Sequence, residues 1–456
     1  MMSLSDAAAA IGARLDGTDR RFESVSTDTR TLQKDALFVA LRGERFDGHR
    51  FVDTAKERGA AAGMVGDSIG SRERGLPLLV VDDTRLALGR LAAHWRRRFD
   101  IPLVSVAGSN GKTTVKEMIA SILRAHYGDE HALATEGNLN NDIGLPLMLL
   151  RLRGEHRAAV VELGVNHPGE TAYLAGIASP TIALVNNAQR EHQEFMKSVA
   201  DVAHEHGALF AALPPNGVAV INADDEFAGY WRGVAAGRRV RDFGIDKPAQ
   251  VSGRCDVRRF GSEIELRTPE GQTRFELHVE GRHNARNAVA AAAAATAAGA
   301  GLDAVVRGLE SFRAFRGRLQ RKSGRKGAAV IDDTYNANPD SARAAIDVLA
   351  TMPGERVLVL ADMGEVGENG PAFHREIGEY AKGRVDVLVT FGAMSATAAR
   401  AFGAGANHFE DVDRLSSAVA AMDAPGRTIL VKGSRFMRME RVVEALCGAD
   451  AAAGGH

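Results

Sequence analysis

The most informative sequence in this chain is Gly108-Ser109-Asn110-Gly111-Lys112-Thr113-Thr114, which directly follows the apolar run Ile101 to Ala107. After it, apolar residues recur at helical spacing at Val115, Met118, Ile119, Ile122 and Leu123. The pattern predicts a strand, a glycine-rich loop and a helix. In that setting the backbone can approach phosphate, Lys112 can reach the terminal phosphates and Thr113 can ligate Mg²⁺.

The loop therefore predicts ATP binding, although Val106 stands where the longer form of this motif has its first glycine. The alternative is a glycine-rich turn with an incidental lysine. The flanking strand and helix favour the phosphate loop.

Composition limits the other function classes. The formal net charge of −1 gives no electrostatic attraction to nucleic acid or to a membrane surface. Cys255 and Cys447 match no metal or redox spacing. No apolar run approaches the length of about 18 residues that a membrane span needs, and the first residues lack a secretory pattern. We expect a cytoplasmic enzyme with no nucleic-acid partner and no membrane insertion.

At 456 residues the chain is longer than one hydrophobic core usually organises. We predict an α/β fold of three domains with boundaries at 1–98, 99–316 and 317–456. The first is a small α/β domain, the second a mainly parallel sheet like that of phosphate-loop ATPases, and the third a Rossmann-like open sheet. The alanine-rich residues 288–300 predict a buried helix, and the tail from Gly448 is expected to fray.

Polar clusters follow the predicted strands of the central segment. Glu162 lies near the end of the stretch 158–164 and could hold Mg²⁺, or it could simply cap a helix or form a salt bridge. Residues 186–194, which include His192, follow the next strand. The loop 135–146 packs amides and acids around two glycines, as a turn-rich loop or a phosphate cradle.

The third segment repeats this arrangement. Residues 332–339 and 431–435 both leave strands whose carboxyl ends should share one sheet edge. Gly317-Arg318 stands at the predicted domain junction, where an arginine could approach a γ-phosphate when the domains close. The amides at the start of the alanine-rich helix, Asn284 and Asn287, either cap that helix or contact adenine. The charged loop 42–49 is a candidate ligand site or a surface turn.

In order along the chain, these motifs resemble the Mur ligases over nearly the whole sequence. Those shared with the family in general are the loop 108–114, Glu162, His192, His283-Asn284-x-x-Asn287 and Gly317-Arg318. Others resemble the members that add D-alanyl-D-alanine, namely Gly137-Asn138-Leu139-Asn140-Asn141, Asp333-Thr334-Tyr335-Asn336-Ala337-Asn338-Pro339 and Lys432-Gly433-Ser434-Arg435. Ser26-Thr27-Asp28-Thr29-Arg30 and Asp47-Gly48-His49 look like the family's uridine-nucleotide domain.

The resemblance implies a ligase that uses ATP and Mg²⁺ to join D-alanyl-D-alanine to a UDP-N-acetylmuramoyl-tripeptide through an acyl phosphate. It implies catalytic roles for Lys112, His192 and Arg318, and metal ligands Thr113, Glu162 and His192. The implied ATP-binding residues are Gly108, Ser109, Asn110, Gly111, Lys112, Thr113, Thr114, Asn284, Asn287, Arg318 and Asp333. The implied substrate-binding residues are Thr27, Asp28, Arg30, Asp47, His49, Asn138, Asn140, Asn336, Asn338, Ser434 and Arg435.

The chain departs from the family pattern at His206, where many Mur ligases carry a carbamylated lysine. Fourteen residues separate His192 from His206, so on one continuous helix the two would share a face. The alternative functions are a sister ligase, a folylpolyglutamate synthetase or an ATP-driven switch, and the segment Asn336-Ala337-Asn338-Pro339 argues against the first two. The sequence leaves the third residue of the tripeptide open, and we expect a monomer.

Overall fold

The structure is a computed structural model that describes residues 1–44, 46–66, 75–258 and 261–448, except the side chain of Val257. The described chain has the predicted α/β class, with main sheets of five, nine and six strands. Arg45 of the charged loop 42–49, and the tail beyond Gly448 that was expected to fray, lie outside the described residues. None of the described helices is both long and apolar enough to cross a membrane.

The first segment holds a five-stranded sheet in the order β2-β9-β8-β5-β4, parallel except at the β2 edge. Its helices are α1 (Leu4–Ile11), α2 (Val52–Glu57) and α3 (Thr84–Arg96), with a 3₁₀ turn at Gly48–Phe51. Its strands are β1 (Met2–Ser3), β2 (Arg14–Asp16), β3 (Arg21–Phe22), β4 (Ser24–Ser26), β5 (Ala36–Val39), β6 (Arg42–Gly43), β7 (Phe46–Asp47), β8 (Ala62–Gly66) and β9 (Leu78–Val81).

The central sheet runs β11-β12-β10-β13-β14-β15-β16-β17-β18. Its strands are β10 (Leu103–Ala107), β11 (Ala132–Ala134), β12 (Ala158–Glu162), β13 (Ile182–Val185), β14 (Val218–Asn222), β15 (Arg239–Gly244), β16 (Val251–Arg258), β17 (Gly261–Thr268) and β18 (Gly271–Leu277). The helices are α4 (Lys112–Tyr127), α5 (Gly144–Leu149), α6 (Glu170–Ala178), α7 (Val199–Ala211), α8 (Ala228–Val234), α9 (Arg282–Ala297) and α10 (Leu302–Ser311), with a 3₁₀ turn at Asp129–His131. Pairing is parallel as predicted up to β16, whereas the antiparallel β17 and β18 are an unpredicted extension.

The third segment forms the sheet β19-β20-β24-β21-β22-β23, which is parallel except for the β19 edge. Its strands are β19 (Gln320–Ser323), β20 (Ala329–Asp333), β21 (Glu355–Ala361), β22 (Val387–Phe391), β23 (Ala406–Phe409) and β24 (Arg427–Lys432). The helices are α11 (Pro339–Ala350), α12 (Gly370–Ala381), α13 (Ala396–Phe402), α14 (Val412–Ala421) and α15 (Glu440–Cys447), with 3₁₀ turns at Gly367–Asn369 and Arg435–Met437.

The central sheet is buried on both faces, because successive strand residues point to opposite sides. Val104 and Val106 of β10 belong to the apolar core under α4 and α9, whereas Leu103 and Ala107 belong to the core under α6 and α7. Alanines 288 to 295 of α9 are interrupted only by Val289 and are fully buried, which confirms the predicted buried helix. Small side chains let this helix lie close to the sheet, and α4 packs beside it on the same face.

The helix that carries Lys112 is also fixed by a close contact with α10. Gly308 of α10 lies against the backbone of Ile122 in α4, where an added Cβ would come within 2.6 Å of the Ile122 Cα. The Ser121 hydroxyl donates to the Gly308 carbonyl at 2.7 Å. The absence of a side chain at Gly308 therefore sets the spacing of the two helices.

We predict that Gly308→Ala lowers the free energy of unfolding by about 1–3 kcal/mol, because the added methyl group overpacks the contact with Ile122. Urea denaturation would measure this. The matched control is Gly233→Ala in α8, where no described atom lies within 4 Å of the added carbon. That change should be neutral or stabilising by up to about 1 kcal/mol through helix propensity. Equal effects at both positions would contradict the packing argument.

Candidate active site

The phosphate loop joins β10 to α4 and is braced by the loop that follows β13. Gly108 and Gly111 have φ angles of 128° and 80°. An added Cβ at Gly108 would lie 3.0 Å from the backbone nitrogens of Asn186 and Asn187, so the two loops pack backbone to backbone. No described side chain caps the start of α4. Its first N–H groups are therefore free to meet an anion, as the motif predicts.

Lys112 is folded back onto its own loop. Its ammonium donates to the Gly108 carbonyl at 2.5 Å and to the Ser109 carbonyl at 3.2 Å. The third acceptor is the Glu191 carboxylate, whose Oε2 lies 3.2 Å from Nζ. Glu191 is therefore an anionic partner of Lys112 that was not predicted.

Glu191 lies at the centre of the charged part of the site, and the sequence analysis did not single it out. Its side chain is 7% exposed. His206 Nε2 lies 2.9 Å from its Oε1, and His192 Nε2 lies 3.7 Å from its Oε2. Burial raises the pKa of Glu191, but Lys112 and the two histidines outweigh burial and hold the pKa at about 2. The only feature of the sequence that could have pointed to Glu191 is its position beside His192, after a buried strand.

His192 and His206 do not lie on one continuous helix, so the shared helix face considered for them does not exist. His192 has a φ of 49°, in the left-handed region, and α7 begins only at Val199 after the Ser198 cap. The two imidazoles approach through Glu191 instead. On the other side, His192 Nδ1 lies 2.6 Å from Oε2 of Glu365 in the third segment.

Glu162 offers a carboxylate oxygen for a cation. Its register partner is Val106, so it lies beside the start of the phosphate loop. Oε1 accepts from the Asn140 amide at 2.8 Å, whereas the buried Oε2 has no hydrogen-bond partner among the described residues. The carboxylate of Glu162 and the hydroxyl of Thr113 are oxygen donors that suit Mg²⁺. Within the described ranges, no group of three His, Cys, Asp or Glu residues is arranged to hold a metal.

Arg318 crosses from the third segment to the phosphate loop. Its Nη2 donates to the Thr113 hydroxyl at 2.9 Å, and its guanidinium lies 4.1 Å above the Tyr335 ring. Gly317, with a φ of 69°, packs against the Tyr335 backbone and turns the chain toward the loop. The structure therefore brings Arg318 to the predicted place at the domain junction.

The ends of β20 and β24 form the opposite wall. Lys432 Nζ lies 2.5 Å from Asp333 Oδ2 and donates to the Asn336 carbonyl at 3.0 Å. Burial raises the pKa of Asp333 despite the opposing charge of Lys432. Asn338 donates to Asn110 Oδ1 at 2.9 Å, which joins this wall directly to the phosphate loop.

A chain of amides connects α9 to the same loop. Asn287 donates to Asn284 Oδ1 at 3.1 Å and accepts from Asn186 at 2.9 Å. Asn186 also donates to the Asn110 carbonyl at 2.8 Å. Burial, together with the nearby cations Lys432 and Arg286, lowers the pKa of His283 to about 4, so this imidazole is neutral at pH 7. The amides at the helix start therefore belong to this network and do not cap α9, which has no side-chain cap hydrogen bond among the described residues.

These groups surround one cavity of about 460 Å³ between the central and third segments. The predicted residues that line it are Ser109, Asn110, Gly111, Lys112, Thr114, Asn138, Asn140, Glu162, His192, Asn284, Asn287, Arg318, Asp333, Asn336 and Asn338. Ser434 is buried beside it, where its hydroxyl accepts from the Gly364 N–H at 2.7 Å and donates to the Ala337 carbonyl at 3.1 Å. Arg435 is exposed, 3.6 Å from Glu440.

The predicted residues of the first segment do not line this cavity. Arg30 forms an ion pair with Asp28 at 2.6 Å, and this contact lowers the pKa of Asp28 to about 2. Asp47 lies 2.6 Å from His49 Nδ1, while His49 Nε2 accepts from the Gly66 N–H at 3.0 Å. Thr27 lies partly buried beside Asp28. These residues form two separate turns of the first segment.

The central and third segments are also joined by an ionic contact at the edge of the cavity, where Asp340 is a lining residue. Arg190 Nη2 donates to Asp340 in α11 at 2.6 Å, and its Nη1 donates to Glu376 in α12 at 2.6 Å. Burial lowers the pKa of Arg190, but the two carboxylates outweigh it and raise the pKa. We call Arg190, Asp340 and Glu376 the interdomain ion cluster.

Comparison with known proteins places this architecture in a family. The chain matches the Mur ligase catalytic domain over residues 21–96, the Mur ligase middle domain over 106–295 and the Mur ligase glutamate ligase domain over 317–435. The chain belongs to the Mur ligase family. Within it, the chain is similar to the UDP-N-acetylmuramoyl-tripeptide–D-alanyl-D-alanine ligase of Escherichia coli, with 43% identity and 98% of each chain covered.

Solved structures agree in fold. A crystal structure of MurF from Acinetobacter baumannii matches with a TM-score of 0.88 and 33% identity, covering 98% of each chain. The MurF ligase from Thermotoga maritima, solved in complex with ADP, matches with a TM-score of 0.81 and 25% identity, covering 94% of this chain and 98% of that one. The three-domain α/β prediction is thereby confirmed.

We predict that Arg190→Gln opens the arrangement of the central and third segments. Hydrogen bonds to charged groups contribute about 1.5–3 kcal/mol, so the open population should rise at least about tenfold. Small-angle X-ray scattering of the nucleotide-free protein should show a larger radius of gyration. The control is Arg343→Gln, since Arg343 in α11 donates to the same Glu376 at 3.0 Å but within one segment. An equal expansion in both variants would refute the interdomain role.

Proposed function

We propose that this chain ligates D-alanyl-D-alanine to a UDP-N-acetylmuramoyl-tripeptide with ATP, in cytoplasmic peptidoglycan precursor synthesis, and that it works as a monomer. The observation that carries the proposal is the full-length similarity to the Escherichia coli ligase of that name. The cavity supports it, because a phosphate loop and an arginine from a second domain meet there. An ATP-driven switch would have no need for the polar wall of the third segment.

In the proposed reaction, a carboxylate oxygen of the tripeptide attacks the γ-phosphorus of ATP, and the bond to the β–γ bridging oxygen breaks. ADP leaves, and the product is an acyl phosphate. The amine of D-alanyl-D-alanine then attacks the acyl carbon, and inorganic phosphate and a proton are released. An α-amino group with a pKa of about 8 is already about one-tenth neutral at pH 7, so little base catalysis is needed.

The protein's task is to bring anions together and to stabilise the charge that develops. Lys112 and the start of α4 would bind the phosphates, and Arg318 would contact the γ-phosphate. Thr113 and Glu162 would hold Mg²⁺, which neutralises phosphate charge when bound. His192 would have a catalytic and metal-binding role, because it lines the same cavity near Glu191 and Glu365.

The remaining roles are assigned by position. We propose that Asn284 and Asn287 face the adenine side, and that Asp333, through its pair with Lys432, orders the cleft beside the ribose. Asn138, Asn140, Asn336 and Asn338 would meet the tripeptide end or the dipeptide. Ser434 and Arg435 would support that wall.

Each domain would have its own role. The domain 1–98 would bind the uridine nucleotide through the turns at 27–30 and 47–49. The domain 99–316 would bind ATP, and the domain 317–456 would complete the site.

The proposal is tested by mass spectrometry of products from each candidate tripeptide, ending in diaminopimelate or in lysine. Incubated with ATP, Mg²⁺ and D-alanyl-D-alanine, one of them should gain a dipeptide. Phosphate release should require both acceptor and dipeptide. Lys112→Ala should fold and lose at least about 10²-fold in turnover, because a charge-stabilising donor is removed. Phosphate release without acceptor, or a near-normal rate in Lys112→Ala, would overturn the assignment.

We predict that Arg318→Ala lowers kcat by at least about 10²-fold and changes the ATP Kd only a few-fold. The reason is that a group aimed at the γ-phosphate stabilises the transition state more than the bound ATP. Steady-state kinetics and calorimetry would separate the two effects. The control is Arg316→Ala, an exposed arginine two residues earlier in the chain. Equal losses in affinity and rate would count against this role for Arg318.

A further inference from the structure

Three basic side chains converge on one buried carboxylate at the edge of the cavity. Glu191 Oε2 faces Lys112 at 3.2 Å and His192 at 3.7 Å, while Oε1 faces His206 at 2.9 Å. Glu191 and Lys112 both line the cavity. A carboxylate in this place is unexpected in a site built for a triphosphate, because like charges repel.

The contacts of Lys112 explain what this carboxylate does. An ammonium has three N–H donors and no acceptor. Here Gly108, Ser109 and Glu191 take up three contacts, and only Glu191 is an anion. A phosphate oxygen that binds Lys112 must therefore replace one of these acceptors. The two carbonyls belong to the phosphate loop itself, so the carboxylate is the acceptor that can be exchanged for phosphate.

We propose that Glu191 is a positioning residue for Lys112. Its carboxylate occupies the place on Lys112 that a nucleotide phosphate takes when nucleotide binds. Nucleotide binding exchanges the carboxylate for a phosphate oxygen on Lys112. The inference rests on the proposed nucleotide-binding function of the loop.

His206 fixes the carboxylate in this position. Its side chain is 1% exposed, and its Nε2 holds Oε1 of Glu191 at 2.9 Å. Its Nδ1 has no hydrogen-bond partner among the described residues, so the imidazole is anchored in the polar network through Glu191 alone. With one carboxylate oxygen held by His206, the other is directed at Lys112. Glu191 therefore connects His206 of α7 to Lys112 at the phosphate loop.

The test is the affinity for ADP, measured by calorimetry on the full chain without Mg²⁺ and then with it. Glu191→Gln keeps the size of the side chain and removes its charge. Binding then breaks no ion pair, and no carboxylate faces the phosphates. We expect the Kd for ADP to fall about tenfold. A role confined to packing would leave the Kd unchanged or raise it. The matched control is Glu194→Gln, the same change at an exposed residue of the same loop, with an unchanged Kd.

A second variant covers the case in which Glu191→Gln does not fold. Glu191→Asp keeps the charge but withdraws it from Lys112 by one methylene, and the Kd for ADP should fall about threefold. An ADP affinity no tighter than that of wild type in the folded variants would overturn the inference while leaving the proposed function intact. Failure of the wild type itself to bind ADP would overturn the proposed function, and the inference with it.

Discussion

Parallel strand pairing is the constraint on which the site depends. Because β10, β12 and β13 run in one direction in neighbouring positions, the phosphate loop, Glu162 and the loop 186–194 emerge at the same sheet edge. The third segment repeats the arrangement, with Asp333 and Lys432 paired in register at the ends of β20 and β24. The cavity lies where the two edges face each other, so neither domain alone contains the site.

Three cations that line the cleft each have a hydrogen-bond partner within the protein. Lys112 pairs with Glu191, Arg318 with Thr113, and Lys432 with Asp333. An unpaired buried charge would cost several kcal/mol, so each cation needs a partner. The pair Lys112–Glu191 lies within the central domain and the pair Lys432–Asp333 within the third, whereas the contact of Arg318 with Thr113 crosses the domain boundary. Binding of an anionic nucleotide is therefore an exchange of partners, and the exchange at Arg318 is coupled to the contact between domains.

Local sequence patterns predict those features of the site that depend on local structure. The strand, glycine loop and helix around Lys112, the strand-terminal Glu162 and the buried alanine helix all follow from periodicity and glycine placement. Glu191 could not be assigned because its partner Lys112 is 79 residues away and meets it only through the sheet. The relation between His192 and His206 could not be predicted, because the left-handed turn at His192 and the cap at Ser198 interrupt the chain between them. The hairpin of β17 and β18 was detectable, since Ile264 and Leu266 are buried at alternate positions between more exposed residues.

Neutral amides form much of the framework around the ions. Asn110 contacts the loop after β13 and the third segment, and Asn186 and Asn287 continue this network into α9. An amide both donates and accepts hydrogen bonds and has no charge to titrate near pH 7. Its contacts therefore persist when phosphates and carboxylates enter or leave. A framework built from charged groups would rearrange with every change of ligand charge, whereas this one holds the loop while Lys112 and Arg318 change partners.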